Sequence, residues 1–163
     1  MIELKVVESS DLVKYKSDMQ EAFQKGFERY YGKSKYTILP EADIDESLNT
    51  KGAKAYKAVL DGEMVGGAIV VIDPITNKNS LHLLYVKYNL ESKGIGKEIW
   101  DFIEGLYPNT KSWETCTPYF DKRNVYFYLN KCGFHIVRYV REINKEGFVG
   151  DGGDGMFEFI KTY

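Results

Sequence analysis

The chain is poor in cysteine, in long apolar runs and in excess positive charge, and each shortage removes a class of function. Its two cysteines, Cys116 and Cys132, stand alone without C-x-x-C spacing, which indicates neither a disulfide framework nor a zinc site. Both read as buried apolar fillers, and no metal is expected. No apolar run approaches the roughly 18 residues of a membrane span, and Met1-Ile2-Glu3 does not open a secretory signal. No membrane partner is therefore expected, and the default location is cytoplasmic. The formal net charge is −2 with Lys and Arg scattered, so no basic stripe offers itself to nucleic acid. Two phosphate-binding signatures are missing as well. Gly96-Lys97 is followed by Glu98, and Glu91 rather than glycine stands five residues before Gly96, which fails the NTPase loop. Ile99 occupies the place where a dinucleotide fingerprint needs its third glycine.

What is present suits one globular domain over residues 1–163, since 44% hydrophobic and 28% charged content can bury one core. Residues 2–6 alternate with period two and read as a first strand. Residues 12–31 read as a helix on which Phe23, Phe27, Tyr30 and Tyr31 form one aromatic stripe, expected to pack on the sheet. Residues 40–47 start a short acidic helix whose first-turn carboxylates complement the helix dipole. A sharper reading of the same segment has Asp43, Asp45 or Glu46 attracting a cationic amine. Residues 54–60 and 64–72 are β-rich and joined by Asp61-Gly62-Glu63, a strong hairpin signal. Gly66 and Gly67 inside the second strand predict a bulge or the close approach of another group. Further along come a strand at 111–116, a helix at 124–131 ended by Gly133, a strand at 134–143 and a last strand at 156–161. The glycine-rich stretch 147–155 reads as a connecting loop, because Thr162 stands where a calcium loop opened by Asp151 needs its Glu.

The chain is organised around residues 80–107. Leu81-His82-Leu83-Leu84-Tyr85-Val86 is an apolar strand, Lys93-Gly94-Ile95-Gly96-Lys97 a glycine turn, and Ile95, Ile99, Phe102, Ile103 and Leu106 recur at helical spacing until Pro108. Glycines at a helix start let a ligand approach the backbone, and the first-turn N–H groups have no partner inside the helix. The combination makes an anion site.

This strand, turn and helix resemble the acyl-CoA-binding core of the GNAT superfamily of N-acyltransferases. A second match follows in order: Asn124-Val125-Tyr126-Phe127-Tyr128-Leu129-Asn130-Lys131-Cys132-Gly133-Phe134 is similar to the superfamily's later signature. It carries one more residue between Tyr128 and Gly133 than that pattern. The resemblance implies an α/β fold of α+β type: a mixed, twisted, mostly antiparallel sheet of about seven strands flanked by helices on both faces. The fourth and fifth strands are expected to splay and open a cleft. It further implies an N-acetyltransferase that moves an acetyl group from acetyl-CoA, its co-substrate, to a primary amine. A monomer or a homodimer is expected.

The resemblance also implies roles for particular residues. The pantetheine arm of acetyl-CoA is expected along Leu84, Tyr85 and Val86. The diphosphate is expected on the N–H groups from Ser92 through Lys93, Gly94, Ile95 and Gly96 to Lys97, with Asn124 and Lys131 on the other side. The N–H of Val86 is the expected oxyanion donor and Tyr128 the expected acid toward the leaving sulfur. His82 is the expected base, because period-two alternation puts it on the same side of its strand as Leu84 and Val86; Glu114 is held in reserve. Glu91 stands where the superfamily carries Gln or Arg and sets a carboxylate beside the expected diphosphate. That departure keeps open a non-catalytic acyl-CoA-binding sensor or partner subunit. The acceptor is open among small amines, polyamines, antibiotics, peptide N-termini and protein lysines.

Overall fold

The computed structural model describes residues 1–141 and 155–163. In chain order the elements are β1 (Glu3–Val6), α1 (Leu12–Tyr31), α2 (Glu41–Asn49), β2 (Ala53–Leu60), β3 (Glu63–Val71), β4 (Lys78–Val86), α3 (Ile95–Leu106), β5 (Ser112–Pro118), α4 (Lys122–Tyr126), β6 (His135–Val140) and β7 (Met156–Thr162). The strands form one mixed sheet in the order β1-β2-β3-β4-β5-β7-β6, antiparallel throughout except where β4 meets β5. Most of the glycine-rich stretch 147–155, and the end of the strand expected at 134–143, lie outside the described residues.

Two apolar layers cover the sheet. On one face Ile95, Ile99, Trp100 and Ile103 of α3 pack with Trp113, Tyr128, Phe134 and Phe159. On the other, Tyr15 and Met19 of α1 and Ile44 of α2 cover Ile69 and Tyr85. The buried face of α3 is rotated from the expected stripe. Trp100 is fully buried, whereas Phe102 and Leu106 are exposed. The indole carries the largest apolar area on that helix, and turning it inward against Trp113, at 5.3 Å between ring centroids, outweighs exposing the other two.

Gly66 and Gly67 mark where the two layers press closest on the sheet. A Cβ on Gly66 would stand 2.6 Å from the Tyr85 carbonyl oxygen and 3.0 Å from Ile99 Cδ1. One on Gly67 would meet both the Tyr15 ring and the Tyr56 carbonyl oxygen at 2.6 Å. Tyr15 lies over that gap, its hydroxyl donating to the Ala68 carbonyl at 3.0 Å. The expected close approach is therefore found, from α3 on one face and α1 on the other.

β4 and β5 are the strands that matter for a ligand. They pair only at Lys78↔Ser112, Asn79↔Trp113 and Ser80↔Glu114. The Thr115 hydroxyl donates to the Leu81 carbonyl at 2.9 Å and closes the fork. Beyond that point the β5-side edge of β4 pairs with no strand among the described residues, which is the expected splay.

A β-bulge sets what β4 shows to the gap. Ile69 and Val70 of β3 span Leu81, His82 and Leu83, so His82 is an extra residue in the ladder. The extra residue breaks the period-two alternation. Leu81, Leu84 and Val86 pack on the α3 face, while Leu83 and Tyr85 pack on the α1 face. The backbone is rephased in step. Lys87 N–H donates to Val65 on β3, so by alternation the N–H groups of Val86 and Leu84 turn toward the gap.

Candidate active site

The splay opens into a cleft of about 840 Å³. Its first wall is the free edge of β4, with Leu84, Tyr85 and Val86 all lining it. The wall continues into α3. Gly94 adopts a left-handed conformation, φ 81°, which reverses the chain without a Cβ clash and leaves the helix without a side-chain cap. The first helical bond is Glu98 N–H to the Gly94 carbonyl, 3.1 Å, so the N–H groups of Ile95, Gly96 and Lys97 have no partner within the helix. All three residues line the cleft, with Ser92 and Gly94. A Cβ added at Gly96 would meet Phe127 at 3.4 Å and Val86 at 3.5 Å, so the glycine keeps the space between the helix start and those two side chains open. A row of free donors at the positive end of a twelve-residue helix can hold a diphosphate.

The second wall is α4 and the loop before it. Asn124 and Lys131 line the cleft, and the Asn124 side-chain amide donates to the Thr117 hydroxyl at 3.3 Å. Lys93 does not. It is exposed outside the lining, and Lys97 is ion-paired with Asp101. The extra residue of the second motif has a visible place. Phe127–Lys131 forms a π-turn, with Cys132 N–H bonding to the Phe127 carbonyl at 3.1 Å. A π-turn takes in one more residue per turn than the α-helix it continues.

Tyr128 sits in that π-turn, behind the wall rather than on it. Its ring packs on Phe127, Phe134 and Phe159 at 5.3–5.6 Å, and its hydroxyl pairs with Thr115 at the fork of β4 and β5. Burial raises the phenol pKa well above its ordinary value, with the neighbouring Cys132 thiol acting in the same direction. The phenol is therefore neutral across the physiological range.

His82 is not where alternation placed it. As the bulge residue it turns toward α2, where its Nδ1 lies 3.2 Å from the Ser47 hydroxyl, and it does not line the cleft. Desolvation lowers its pKa, partly offset by the Glu46 charge. Glu114 is exposed and also outside the cleft. Cys132 is buried as expected, but Cys116 is exposed on β5, because the alternation of that strand turns Trp113, Thr115 and Thr117 inward instead.

Glu91, the residue out of pattern, is neutralised. Arg29 of α1 reaches both its oxygens at 3.1 Å, and Arg123 of α4 stands 3.6 Å away while donating to the Ser92 hydroxyl at 2.8 Å. Two guanidinium groups thus stand beside the open helix start. Neither was found by sequence pattern, since Arg29 is 62 residues from Glu91 in the chain.

Asp121 was also missed, although Asp before Lys122-Arg123-Asn124 is an N-cap signal. Its Oδ1 accepts from Asn124 N–H at 3.1 Å and from the Tyr30 hydroxyl at 3.4 Å. Burial raises its carboxyl pKa, against the opposing pull of those bonds and of Arg29 and Arg123. It lines the cleft. Among the described residues no group of three His, Cys, Asp or Glu could hold a metal, and no helix is long and apolar enough to cross a membrane.

Comparison with known proteins agrees with this geometry. The family model described as an acetyltransferase (GNAT) domain matches residues 4–148. An uncharacterised protein of Bacillus subtilis strain 168, YrkN, is 41% identical over 97% of this chain and 91% of its own length. A GNAT family acetyltransferase from Elizabethkingia anophelis, solved with acetyl-CoA bound, superposes with a TM-score of 0.75 at 15% identity, covering 99% of this chain and 98% of that one. The PaiA N-acetyltransferase from Thermoplasma acidophilum, solved with coenzyme A, gives 0.74 at 19% identity over 100% and 99%. These two structures share the fold. A family match of that extent, on a sheet that parts between β4 and β5 beside an open helix start, places the chain in the GNAT acetyltransferase family.

Proposed function

We infer that the protein is an N-acetyltransferase that moves the acetyl group of acetyl-CoA to a primary amine by direct attack on the thioester. The observation that carries this reading is the unpaired edge of β4 running straight into the open N–H groups of α3. The edge offers strand-like hydrogen bonds to the pantetheine amides, and the helix start offers its donors to the diphosphate. That the two solved relatives hold acetyl-CoA or coenzyme A supports the same reading.

The residues divide the chemistry simply. The amine nitrogen attacks the thioester carbon and a C–N bond forms. The N–H of Val86, turned into the gap by the bulge, donates to the oxyanion that develops. The C–S bond then breaks, the nitrogen sheds its extra proton to water, and the thiolate takes a proton from the neutral phenol of Tyr128, relayed by water because that hydroxyl stands behind the cleft wall; the phenol then regains its proton from solvent. An alkylamine with a pKa near ~10.4 is mostly protonated at neutral pH, so the acceptor must lose a proton before attack. Asp121 is the carboxylate in the cleft that is not held in an ion pair among the described residues, and it is the group we assign to receive it, directly or through water.

Acetyl-CoA at 100 times its Kd is expected to stabilise the fold by about 2.7 kcal/mol, and free thiol should appear only when an amine is added. No rise in melting temperature with acetyl-CoA would remove the reading; a rise without thiol release from any amine would leave a binding module. Glu91 gives a second test. Glu91→Gln removes one negative charge beside the diphosphate and frees Arg29 and Arg123. The KM for acetyl-CoA should fall about threefold at low salt, which is within the range for partly exposed ion pairs, and the gain should vanish in 1 M NaCl. An unchanged or higher KM at low salt would mean that the two arginines serve only to hold α1 and α4 together.

A further inference from the structure

The cleft extends past β4 and the helix start to a third wall, which the transfer chemistry does not use. That wall is apolar. Ala22, Phe23, Gly26 and Phe27 of α1 line it, with Ile38 from the following segment and Phe120 from the loop before α4. The rings are interlocked: Phe27 meets Phe120 edge-on at 5.3 Å, and Tyr30 and Tyr31 meet the same ring at 5.6 and 5.2 Å. The aromatic stripe expected to pack on the sheet is thus turned largely toward the 118–121 loop instead. Ile38 is held in place by Gln24, which donates to the Tyr36 carbonyl at 3.0 Å and accepts from Ile38 N–H at 2.9 Å. In the middle of the wall Gly26 leaves room, for a Cβ there would meet nothing within 4 Å.

Resting on the reading above, we propose that the acceptor is a primary amine carried on an aromatic body. Its ring sits against Phe23, Gly26 and Phe120, and its ammonium sits at Asp121. Three observations select this class. The wall offers ring edges to a further ring, a contact favourable beyond area burial alone. Asp121 borders that wall with Oδ1 already occupied and with Oδ2 accepting from no described residue, which suits one cation on an otherwise apolar ligand. The remaining charge gives a polycation little to pair with. Arg29, Lys97, Lys122, Arg123 and Lys131 line the cleft against the two carboxylates Glu91 and Asp121, and once the diphosphate offsets most of that positive surplus Asp121 is left as one carboxylate for one cation. The acidic helix α2 does not compensate, because none of Glu41, Asp43, Asp45 and Glu46 lines the cleft, and Glu41 and Asp45 are ion-paired with Lys16. An acyl chain longer than acetyl would suit the rings but not the carboxylate.

The test combines an acceptor panel with two variants of the full chain. Thiol release from acetyl-CoA is measured with 2-phenylethylamine, spermine and a lysine-containing peptide, and melting shifts with acetyl-CoA and octanoyl-CoA. The expected result is a kcat/KM for 2-phenylethylamine at least tenfold above the other two. Gly26→Leu fills the open space and raises helix propensity, so the fold is kept. It should cut transfer to 2-phenylethylamine at least tenfold with the acetyl-CoA melting shift unchanged. Asp121→Asn keeps a capping side chain but can neither pair with the ammonium nor take its proton, and should lower kcat/KM for that amine at least tenfold. Better transfer to spermine or to the peptide, no transfer to 2-phenylethylamine, or a Gly26→Leu variant as active as wild type overturns the proposal. So does an octanoyl-CoA shift that Gly26→Leu abolishes. In each of these cases an intact acetyl-CoA shift leaves the underlying reading standing, whereas its absence removes both.

Discussion

Tyr128→Phe is expected to lower kcat about 100-fold while leaving the acetyl-CoA melting shift as it is, the lower end of what a positioned general acid contributes. The phenol is buried behind the cleft wall with its hydroxyl at the fork of β4 and β5, and the ring itself is locked by three aromatic neighbours. Phenylalanine preserves those ring contacts and loses only the proton and the bond to Thr115. Loss of one buried hydrogen bond costs on the order of 1 kcal/mol of stability, which a denaturation curve measures separately from turnover. A slower acetyl transfer from a poorer leaving thiol should be more severe in the variant than in the wild type. If kcat stays within threefold of wild type, the hydroxyl serves only the fold. Because burial keeps the phenol protonated, the wild type should show no loss of activity between pH 7 and 9 arising from this residue.

Gly67→Ala should be a strongly damaging small change to the centre of the fold. The new methyl would lie 2.6 Å from the Tyr56 carbonyl oxygen, which is fixed in the β2–β3 ladder, and 2.6 Å from the Tyr15 ring. Neither can retreat freely: Tyr15 is fully buried and hydrogen-bonded to Ala68. Overpacking of this kind costs about 3 kcal/mol. For a chain of this size the melting temperature should drop by roughly 6–12 °C. Gly105 is the control, since an added Cβ there meets nothing within 4 Å and alanine favours the helix. Equal melting temperatures for the two variants would show that α1 is not seated on β3 as described.

The parts of this molecule that could be read from sequence are those governed by local rules. The strand, the glycine turn and α3 follow from alternation, from the need for a left-handed residue at Gly94 and from helical spacing after it. Gly66 and Gly67 announced a close contact because strands seldom hold adjacent glycines for any other reason. What escaped depends on a count or on distance. Alternation put His82 beside Leu84 and Val86, and one bulged residue moved it to the other face. The sequence showed Glu91 as an unfavourable carboxylate, because Arg29 and Arg123 reach it from elements that meet only in the folded chain. Phe120 and Asp121 sit in a loop, where no periodicity marks a functional position. The aromatic stripe of α1 was visible, but its neighbour could not be named without the topology.

Both walls of the cleft hold one residue more than a regular element would: His82 in β4 and the π-turn after α4. Their side chains matter less than the slot each takes up. Shortening β4 by one would send the amides of Leu84 and Val86 back to β3, and shortening the π-turn would swing Tyr128 by about a third of a revolution. Composition would hardly change, yet the β4 amides and the Tyr128 hydroxyl would leave the positions from which they are proposed to act. The proposed chemistry therefore rests on spacing as much as on residue identity, and insertions or deletions at these two points are where its loss would begin.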